Sequence, residues 1–363
     1  MKKINVTQTF LPPLEEYSKV LEEIWSAKHL TNRGPNVLEL ESKIQNYLSS
    51  YNTPLLVSNG TIALQIAIKA LNLKGEIITT PFSYVATTSS IVWEGCKPIF
   101  VDIHPEYLTI DETKIEEAIT KNTSAILATH VYGNPCNIVA IEKIAKKFNL
   151  KVIYDAAHCF GVKYNNKSIF DYGDISTCSF HATKIFHTGE GGAVFAQNQN
   201  LFDKIKLAHS FGHIGDEHIQ LGINGKMSEL SAAMGLSVLG HIESIIMERK
   251  KVDNYYKKNL DFEKIKTIRI RKNTEYNYSY FPIIFDSEKS MLKCKLKLEQ
   301  ENIFPRRYFY PSLNQLKYLK KNSKMLESDL ISKSILCLPN YFGLKERSLI
   351  KICSIINNFN QKN

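Results

Sequence analysis

The sequence lacks a Cys-x-x-Cys pair and any apolar run long enough to cross a bilayer. Its cysteines are an odd number of isolated residues: Cys96, Cys136, Cys159, Cys178, Cys294, Cys337 and Cys353. This distribution argues against a disulfide framework and predicts small buried side chains in a reducing compartment. The first residues, "MKKINVTQTF", carry lysines without an apolar stretch behind them, so we expect no secretory signal and a cytoplasmic location.

The sequence also lacks a block of basic residues interleaved with aromatics, although its formal net charge is +10. The lysines are spread along the chain, and the densest group, Lys317, Lys320 and Lys321, is expected to be a solvated surface. We therefore predict no nucleic-acid partner. The positive excess still leaves the surface attractive to phosphorylated ligands.

Short β-branched runs alternate with helical patterns between about Asn59 and Ala196. The predicted strands include "EIITT", "KPIFVDI", "TSAILATHV" and "KVIYDAA", and the predicted helices include "GTIALQIAIKAL" and "NIVAIEKIAKKFN". This alternation is typical of an α/β protein with a mainly parallel sheet and helices on both faces. Functional groups should then collect at the carboxyl ends of the strands.

The pattern changes after Ala196. The stretch from "KMSELSAAMGL" to "NYYKKNL" predicts a long helix that is interrupted near Gly240. From about Phe262 the strand "YSYFPIIF", the amphipathic helix "SMLKCKLKLEQEN" and the apolar run "SILCLPN" predict a smaller α+β lobe. We expect the two lobes to pack tightly, because no low-complexity linker separates them.

Three features could carry chemistry, and each has an ordinary structural explanation. Asp155 follows a predicted buried strand, where an acid either caps the next segment or faces a ligand. His158, three residues later, is either an ordinary core histidine or a catalytic one. The small-residue turn "SNGTIAL" opens a helix, whose free amides suit a phosphate but also occur at any helix start.

Lys184 is the third feature, and it stands where a lysine is not expected. It lies between the predicted strand Ile175 to Phe180 and a glycine turn that leads into a second apolar run. Desolvation lowers the pKa of an amine and makes it nucleophilic, as in Schiff-base lysines, whereas a lysine that reaches solvent would be inert. A phosphate cradle, an acid and an amine in this order are the parts needed to bind pyridoxal phosphate.

The chain resembles the DegT/DnrJ/EryC1/StrS sugar-aminotransferase family. The matching segments occur in family order from about residue 30 to 310 and include "LTNRGPNVLELESKI", "SNGTIAL", "PFSYVATTSSIVWEGCKPIFVDI", "VIYDAAHCFG", "SFHATKIFHTGEGGAVF", "GINGKMSELSAAMGL" and "RRYFYP". The resemblance implies an α/β protein of the pyridoxal-phosphate-dependent transferase fold type I. Residues 1–240 would form a large domain with a seven-stranded, mainly parallel sheet between helices and an N-terminal helical segment, and residues 241–363 a small α+β domain.

The resemblance also implies roles for matching positions. Lys184 would form the Schiff base with pyridoxal 5′-phosphate, Asp155 would hold the pyridine nitrogen, and His158 would lie near the ring. Other cofactor contacts would come from Gly60, Thr61, Tyr84, Ser179 and Asn224. Asn224 would reach the neighbouring subunit's cofactor, so the active sites would be shared across a homodimer. Lys226 stands where the family usually has Arg, so a bidentate anion contact there is in doubt.

The implied reaction is the transfer of an amino group from L-glutamate to a nucleotide-linked ketosugar. The pattern most resembles members that aminate C4 of dTDP-4-dehydro-6-deoxy-D-glucose for surface polysaccharide (O-antigen) or related glycans, with Arg306, Arg307 and Tyr308 as candidate substrate contacts. Amination at C3, or of a UDP- or GDP-linked sugar, is an alternative, as is a cofactor-binding sensor without turnover. Lys184 argues against relatives that use histidine there as dehydratases. His158, Cys159, His181 and His187 lack metal-ligand spacing, so no metal is expected.

Overall fold

The computed structural model describes residues 3–319 and 324–361. Its helices are α1 (Leu14–Ala27), α2 (Pro35–Leu48), α3 (Gly60–Ala70), α4 (Val85–Trp93), α5 (Ile138–Phe148), α6 (Gln199–Ala208), α7 (Glu229–Leu239), α8 (Ile242–Asn259), α9 (Glu288–Gln300), α10 (Leu326–Ser334) and α11 (Glu346–Gln361). Its strands are β1 (Ile4–Asn5), β2 (Leu55–Val57), β3 (Glu76–Thr79), β4 (Lys97–Phe100), β5 (Thr123–Thr129), β6 (Lys151–Asp155), β7 (Lys163–Tyr164), β8 (Lys167–Ser168), β9 (Ile175–Ser179), β10 (Gly192–Ala196), β11 (His213–Ile214), β12 (Glu217–His218), β13 (Ile265–Lys266), β14 (Thr274–Glu275), β15 (Phe281–Phe285), β16 (Ile303–Phe304) and β17 (Ile335–Leu338). Lys317 lies in an exposed turn, and Lys320 and Lys321 fall outside the described residues.

The central sheet has seven strands in the order β2-β10-β9-β6-β5-β3-β4. Strand β10 is antiparallel to both of its neighbours, while β9, β6, β5, β3 and β4 pair in parallel. The predicted mainly parallel sheet is therefore confirmed. Its register places Thr129 beside Asp155 and Asp155 beside Thr177, so the ends of β5 and β6 meet beside the middle of β9.

Both faces of the sheet are buried, which explains why its strands are continuous apolar runs. In β5, Ile126 and Ala128 enter the core on one face, and Ala125 and Leu127 enter the core on the other. Successive side chains of a strand point to opposite faces, so one short run supplies both cores. Each fully buried aliphatic side chain contributes about 1.5–3 kcal/mol to folding.

A second lobe is built around the antiparallel sheet β13-β15-β17. Its core includes Tyr256 from α8 and Phe281 from β15. Helix α8 contributes to both lobes, since Ile242 and Ile245 near its start pack into the core of the large sheet. Gly240 separates α7 from α8, as the interrupted helix pattern predicted. The domain boundary at residue 240 stays a prediction, and β1 at the chain start pairs with β16 of the second lobe.

All seven cysteines are buried and unpaired, as their spacing predicted. Among residues 3–319 and 324–361, no single helix is both long and apolar enough to cross a bilayer; α7 and α8 meet that criterion only as a pair, which is bent by 61°.

Candidate active site

A cavity of about 650 Å³ opens at the carboxyl edge of the central sheet. Its size falls within the ordinary range for small-molecule sites. The predicted site residues that line it are Gly60, Thr61, Tyr84, Asp155, His158, Ser179, Lys184, Arg306 and Tyr308. Residues separated by as much as 248 positions in sequence are therefore brought to one place, and only Asn224 and Arg307 of the predicted set do not line the cavity.

Lys184 lies on the tight loop that joins β9 to β10. Its backbone N–H donates to the carbonyl of His181 at 2.8 Å, and Ala182 and Gly189 close the loop with a second bond of 2.8 Å. Phe180 and Phe186, on either side, are fully buried and pack edge to face. Two buried aromatics thus anchor the loop on either side of Lys184, which lines the cavity, and this explains why a lysine occurs between core strands.

Burial lowers the pKa of the Lys184 amine below its usual value, while the nearby Asp155 carboxylate opposes that shift. Desolvation disfavours the charged ammonium, so a larger fraction of the amine is neutral at a given pH. A neutral amine is a nucleophile, which is the property that a Schiff-base lysine requires.

Asp155 is the last residue of β6 and is 5% exposed. Its Oδ2 accepts a hydrogen bond from Thr87 Oγ1 at 2.7 Å, and its Oδ1 accepts one from the N–H of Ala157 at 3.2 Å. Burial raises the pKa of the carboxyl, and these bonds and Lys184 act in the opposite direction. Each oxygen accepts one hydrogen bond, so Asp155 stabilises its own turn while it also lines the cavity.

His158 is buried and neutral. Its Nδ1 accepts the backbone N–H of Tyr132 at 3.1 Å, and burial holds the pKa of the imidazole well below its usual range. The ring lies parallel to Phe309, with 5.7 Å between centroids. Because Nδ1 is an acceptor, the ring proton of the neutral form is on Nε2, so His158 offers an N–H donor.

The start of α3 forms an anion cradle. Asn59 caps the helix, because its side-chain oxygen accepts the N–H of Ile62 at 2.9 Å. The amides of Gly60 and Thr61 have no intrahelical acceptors, because they lie in the first turn of the helix. A Cβ added to Gly60 would lie 2.8 Å from the Cβ of Ser179, so the backbone approaches β9 more closely than any side chain would allow. A phosphate fits this arrangement of amides, helix dipole and hydroxyl.

Aromatic side chains form another wall of the cavity. Tyr84 caps α4 with its backbone and leaves its side chain 59% exposed toward the cavity, 6.5 Å from Phe309 between centroids. Tyr280 packs edge to face on His158 at 5.1 Å. The cavity therefore combines an aromatic wall with an amine, a carboxylate, an N–H donor and the anion cradle. This set of groups fits pyridoxal 5′-phosphate.

The two predicted arginines have different surroundings. Arg306 is exposed at the cavity, and its backbone exchanges hydrogen bonds with Cys337 at 3.2 and 2.8 Å. Arg307 instead binds Glu288 at 2.6 Å and lies 3.5 Å from the ring centroid of Tyr310. Its guanidinium is committed to the second lobe, which explains why it does not line the cavity.

Asn224 is exposed and does not line the cavity of its own chain. Its backbone bridges Ser210, and the neighbouring Lys226 places its Nζ 4.9 Å from the ring of Phe211. Burial lowers the pKa of the Lys226 amine.

Several residues of the site were not predicted from the sequence. Ser83 and Thr129 line the cavity, and Thr87, which lies behind it, donates to Asp155. Ser83 and Thr87 are four residues apart in "PFSYVATT", a helical spacing that could have indicated a shared face. No local signal marks Phe309 or the pair His181 and Glu190, whose side chains lie 3.6 Å apart. Within the described ranges, no group of three or more His, Cys, Asp or Glu side chains could hold a metal ion.

The chain resembles known proteins over nearly its whole length. The model of the DegT/DnrJ/EryC1/StrS aminotransferase family matches residues 14–357. A relative from Shigella dysenteriae named dTDP-4-amino-4,6-dideoxy-D-glucose transaminase is 45% identical over 362 residues and spans 98% of both chains. A relative of the same name from Escherichia coli is 40% identical over 369 residues, again with 98% of both chains covered.

Among solved structures, that of DesI in the presence of its TDP-sugar product superposes with a TM-score of 0.93 at 25% identity. The match covers 99% of this chain and 93% of that chain. This likeness and the strand order confirm the expected pyridoxal-phosphate-dependent transferase fold of type I.

Proposed function

We propose that this chain, which belongs to the DegT/DnrJ/EryC1/StrS aminotransferase family, moves an amino group from L-glutamate to C4 of dTDP-4-dehydro-6-deoxy-D-glucose. The chain is an aminotransferase, and the sugar is inferred from the names of the two relatives that match it over 98% of its length. The observation that carries this assignment is the meeting of Lys184, Asp155 and the start of α3 in one cavity. The product would be dTDP-4-amino-4,6-dideoxy-D-glucose.

Pyridoxal 5′-phosphate is the proposed cofactor. When bound, it supplies an aldehyde that accepts the amino group and a conjugated ring that delocalises charge from the substrate carbon. The amides of Gly60 and Thr61 and the hydroxyl of Ser179 would bind its phosphate, and Tyr84 would cover the ring. Asp155 and His158 would supply the polar contacts, as a carboxylate and as an Nε2–H donor.

Lys184 carries the covalent and proton-transfer roles. Its Nζ, with a pKa lowered by burial, would hold the cofactor at its aldehyde and, when free, would carry a proton to and from the substrate carbon. The anchored loop keeps this flexible side chain at the cavity. The Asp155 carboxylate would hold a proton at the pyridine nitrogen, because a nearby negative charge favours the protonated form of that nitrogen.

The acceptor side of the cavity would bind the nucleotide. Arg306 is exposed there beside Tyr308, with 5.6 Å between the guanidinium carbon and the ring centroid, and guanidinium groups suit diphosphates. The sequence also predicts Arg307 as a substrate contact, but its ion pair with Glu288 favours a structural role.

A homodimer with shared sites is the proposed assembly. Asn224 lies in a stretch with unusually exposed apolar side chains, including Phe211 at 49%, Ile214 at 61% and Leu221 at 69%. Apolar side chains clustered at a surface mark an interaction site, and a second copy would bury them and bring Asn224 to the partner's phosphate site. We also propose a cytoplasmic location and a product that serves glycan assembly, because glycosyltransferases consume nucleotide-linked sugars.

The test is incubation of the purified enzyme with L-glutamate and a panel of dTDP-, UDP- and GDP-linked 4-keto and 3-keto sugars, with NMR of the product. We expect an amine at C4 of the dTDP sugar and none with the matched Lys184→Ala variant. Amination at C3, or of a UDP or GDP sugar only, would contradict the assigned substrate. A bound-cofactor absorption band that glutamate does not change would indicate a sensor instead of an enzyme.

A further inference from the structure

Three hydroxyl side chains form a continuous hydrogen-bonded chain that ends on Asp155. Thr129 Oγ1 donates to Ser83 Oγ at 3.1 Å, Ser83 Oγ lies 2.7 Å from Thr87 Oγ1, and Thr87 Oγ1 donates to Asp155 Oδ2 at 2.7 Å. All three side chains are at most 2% exposed. We name this set, Thr129, Ser83 and Thr87, the hydroxyl relay.

The direction of every bond in the hydroxyl relay is fixed by counting hydrogens. A hydroxyl has a single hydrogen to donate, and an ionised carboxylate can only accept. Thr87 uses its hydrogen on Asp155, so the hydrogen between Thr87 and Ser83 must come from Ser83. Ser83 therefore accepts from Thr129, and all three O–H dipoles point toward the carboxylate. Aligned dipoles in a buried site strengthen one another and favour negative charge at their end.

The relay also connects two strand ends through the loop that carries Tyr84. Thr129 and Asp155 end the neighbouring strands β5 and β6 and are register partners. Ser83 and Thr87 stand on either side of Tyr84, at the start of α4. The hydroxyl bonds thus attach this loop to the sheet edge on both sides of the exposed aromatic.

The other ionisable groups that face Asp155 are Lys184 and the thiols of Cys136, Cys159 and Cys178. Burial raises the pKa of all three thiols, so they are neutral at physiological pH. A bond between Lys184 and the cofactor's aldehyde would remove the free ammonium group that otherwise faces the carboxylate. The hydroxyl relay is then the main fixed polar support of the carboxylate, together with the N–H of Ala157.

We infer that the hydroxyl relay is a positioning device, which keeps Asp155 ionised for the pyridine nitrogen and holds Tyr84 over the same ring. This inference rests on the proposed cofactor. Removing a member leaves the fold in place but weakens the hold of Asp155 on the ring proton. Cofactor affinity then falls, and a less positive ring makes the nitrogen that joins it to Lys184 more basic.

The experiment compares Thr87→Val, which deletes the hydroxyl at nearly constant shape, with Thr87→Ser, which keeps it. The first readout is the dissociation constant of pyridoxal 5′-phosphate, titrated into apoprotein. The second is the pH at which the absorption band of the bound cofactor changes. For Thr87→Val we expect cofactor binding weaker by about tenfold, as for loss of a bond to a charged group, and a transition shifted upward by roughly half a pH unit or more. Thr87→Ser should restore most of both values.

Thr88→Val is the matched control, because Thr88 is the next residue of α4, is fully buried, and has a hydroxyl that meets no partner among the described residues. It should leave both readouts unchanged. Ser83→Ala and Thr129→Val should move both in the same direction as Thr87→Val, and they carry the test if Thr87→Val does not fold.

Three results would overturn the inference. They are wild-type values in all relay variants, equal losses in Thr87→Val and Thr88→Val, or no rescue by Thr87→Ser. Failure of the proposed function is separate, since it would appear as wild-type protein that binds no cofactor or aminates no sugar.

Discussion

The two walls of the cavity are built differently. The wall proposed to bind the cofactor, here called the cofactor wall, lies at strand ends and carries Asp155 and His158, which are buried and hydrogen-bonded. The acceptor wall is the segment around Arg306 and Tyr308 from the second lobe, where the arginine side chain is exposed. Chemistry shared by all substrates of such an enzyme needs fixed geometry, whereas recognition of one sugar nucleotide needs side chains that vary without disturbing the core.

This difference has an energetic basis. A buried carboxylate is costly unless it is paired, and Asp155 is stabilised by Thr87, Ala157 and Lys184. An exposed guanidinium such as that of Arg306 costs little in the free protein and gains strength only when a ligand excludes water from it. Substitutions in the cofactor wall should therefore slow the chemistry or weaken cofactor binding, and those in the acceptor wall should change substrate affinity.

Lys184→Ala is expected to have the largest effect. It removes the nucleophile and the proton carrier, so turnover should fall by roughly a thousandfold or more, while the unfolding midpoint stays close to that of wild type. Borohydride reduction followed by peptide mass mapping should find the cofactor adduct at residue 184 in the wild type and none in the variant. An adduct at another lysine would show that the cofactor wall has been assigned incorrectly.

Asp155→Asn is expected to have the next largest effect. The amide keeps the shape but not the charge that holds the ring proton, so kcat/KM should fall by about a hundredfold and cofactor retention should weaken. Stopped-flow turnover and cofactor titration measure the two changes separately. If both equal the wild-type values, the pyridine nitrogen does not depend on this carboxylate.

Gly60→Val tests the anion cradle. The new Cβ would start 2.8 Å from the Cβ of Ser179 and force the helix start away from β9. We expect the affinity for pyridoxal 5′-phosphate to drop by about tenfold through the loss of amide contacts. Gly240→Ala is the control, since its added Cβ meets only a carbonyl at 3.9 Å. A larger loss of affinity in the control would remove the steric explanation.

Arg306→Gln and Arg307→Gln form a matched pair on the acceptor wall. Loss of Arg306 should raise KM for the nucleotide sugar by about tenfold without lowering stability, because its guanidinium is exposed and, among residues 3–319 and 324–361, forms no ion pair. Loss of Arg307 should leave KM unchanged and cost about 1 kcal/mol of folding free energy, since its bond to Glu288 is partly exposed. Initial-rate kinetics and denaturant unfolding separate the two, and exchanged phenotypes would contradict the placement of the arginines.

The cofactor wall was more predictable from the sequence than the acceptor wall, for a physical reason. Asp155 follows an apolar strand and Gly60 opens an apolar helix, so local pattern placed both at the sheet edge. Arg306 and Arg307 are adjacent in one irregular segment, where no periodicity tells which side chain faces the cavity. Thr87 and Thr129 are 42 positions apart and are linked through Ser83 because β3, which leads into α4, lies beside β5, a long-range pairing that local pattern does not encode.

The burial of the cofactor wall also predicts that folding stability depends on pH. His130 lies behind the cofactor wall: its N–H donates to the carbonyl of Asp155 at 3.0 Å, and its Nδ1 accepts the N–H of Cys136 at 3.0 Å. Burial lowers the pKa of His130 to about 3, against 6.5 when unfolded. Between pH 6.5 and 3, His130 therefore binds a proton in the unfolded chain but not in the folded protein. The free energy of unfolding consequently decreases as the pH falls below 6.5. The loss is about 1.4 kcal/mol per pH unit between pH 6.5 and 3, or about 2 kcal/mol at pH 5.

His130→Asn keeps an acceptor for the Cys136 amide but cannot titrate, so it should reduce the slope of unfolding free energy against pH by about one proton in this window. Denaturant unfolding at half-unit pH steps measures the slope, which separates this effect from any loss of packing. Thr88→Val is the control, since it replaces a buried side chain that does not titrate, and it should leave the slope unchanged. An unchanged slope in His130→Asn would mean that the folded protein accepts a proton at this site. His130, behind the carboxylate, would then be able to carry a charge in the folded protein. The contrast between a rigid cofactor wall and an adaptable acceptor wall would not hold there.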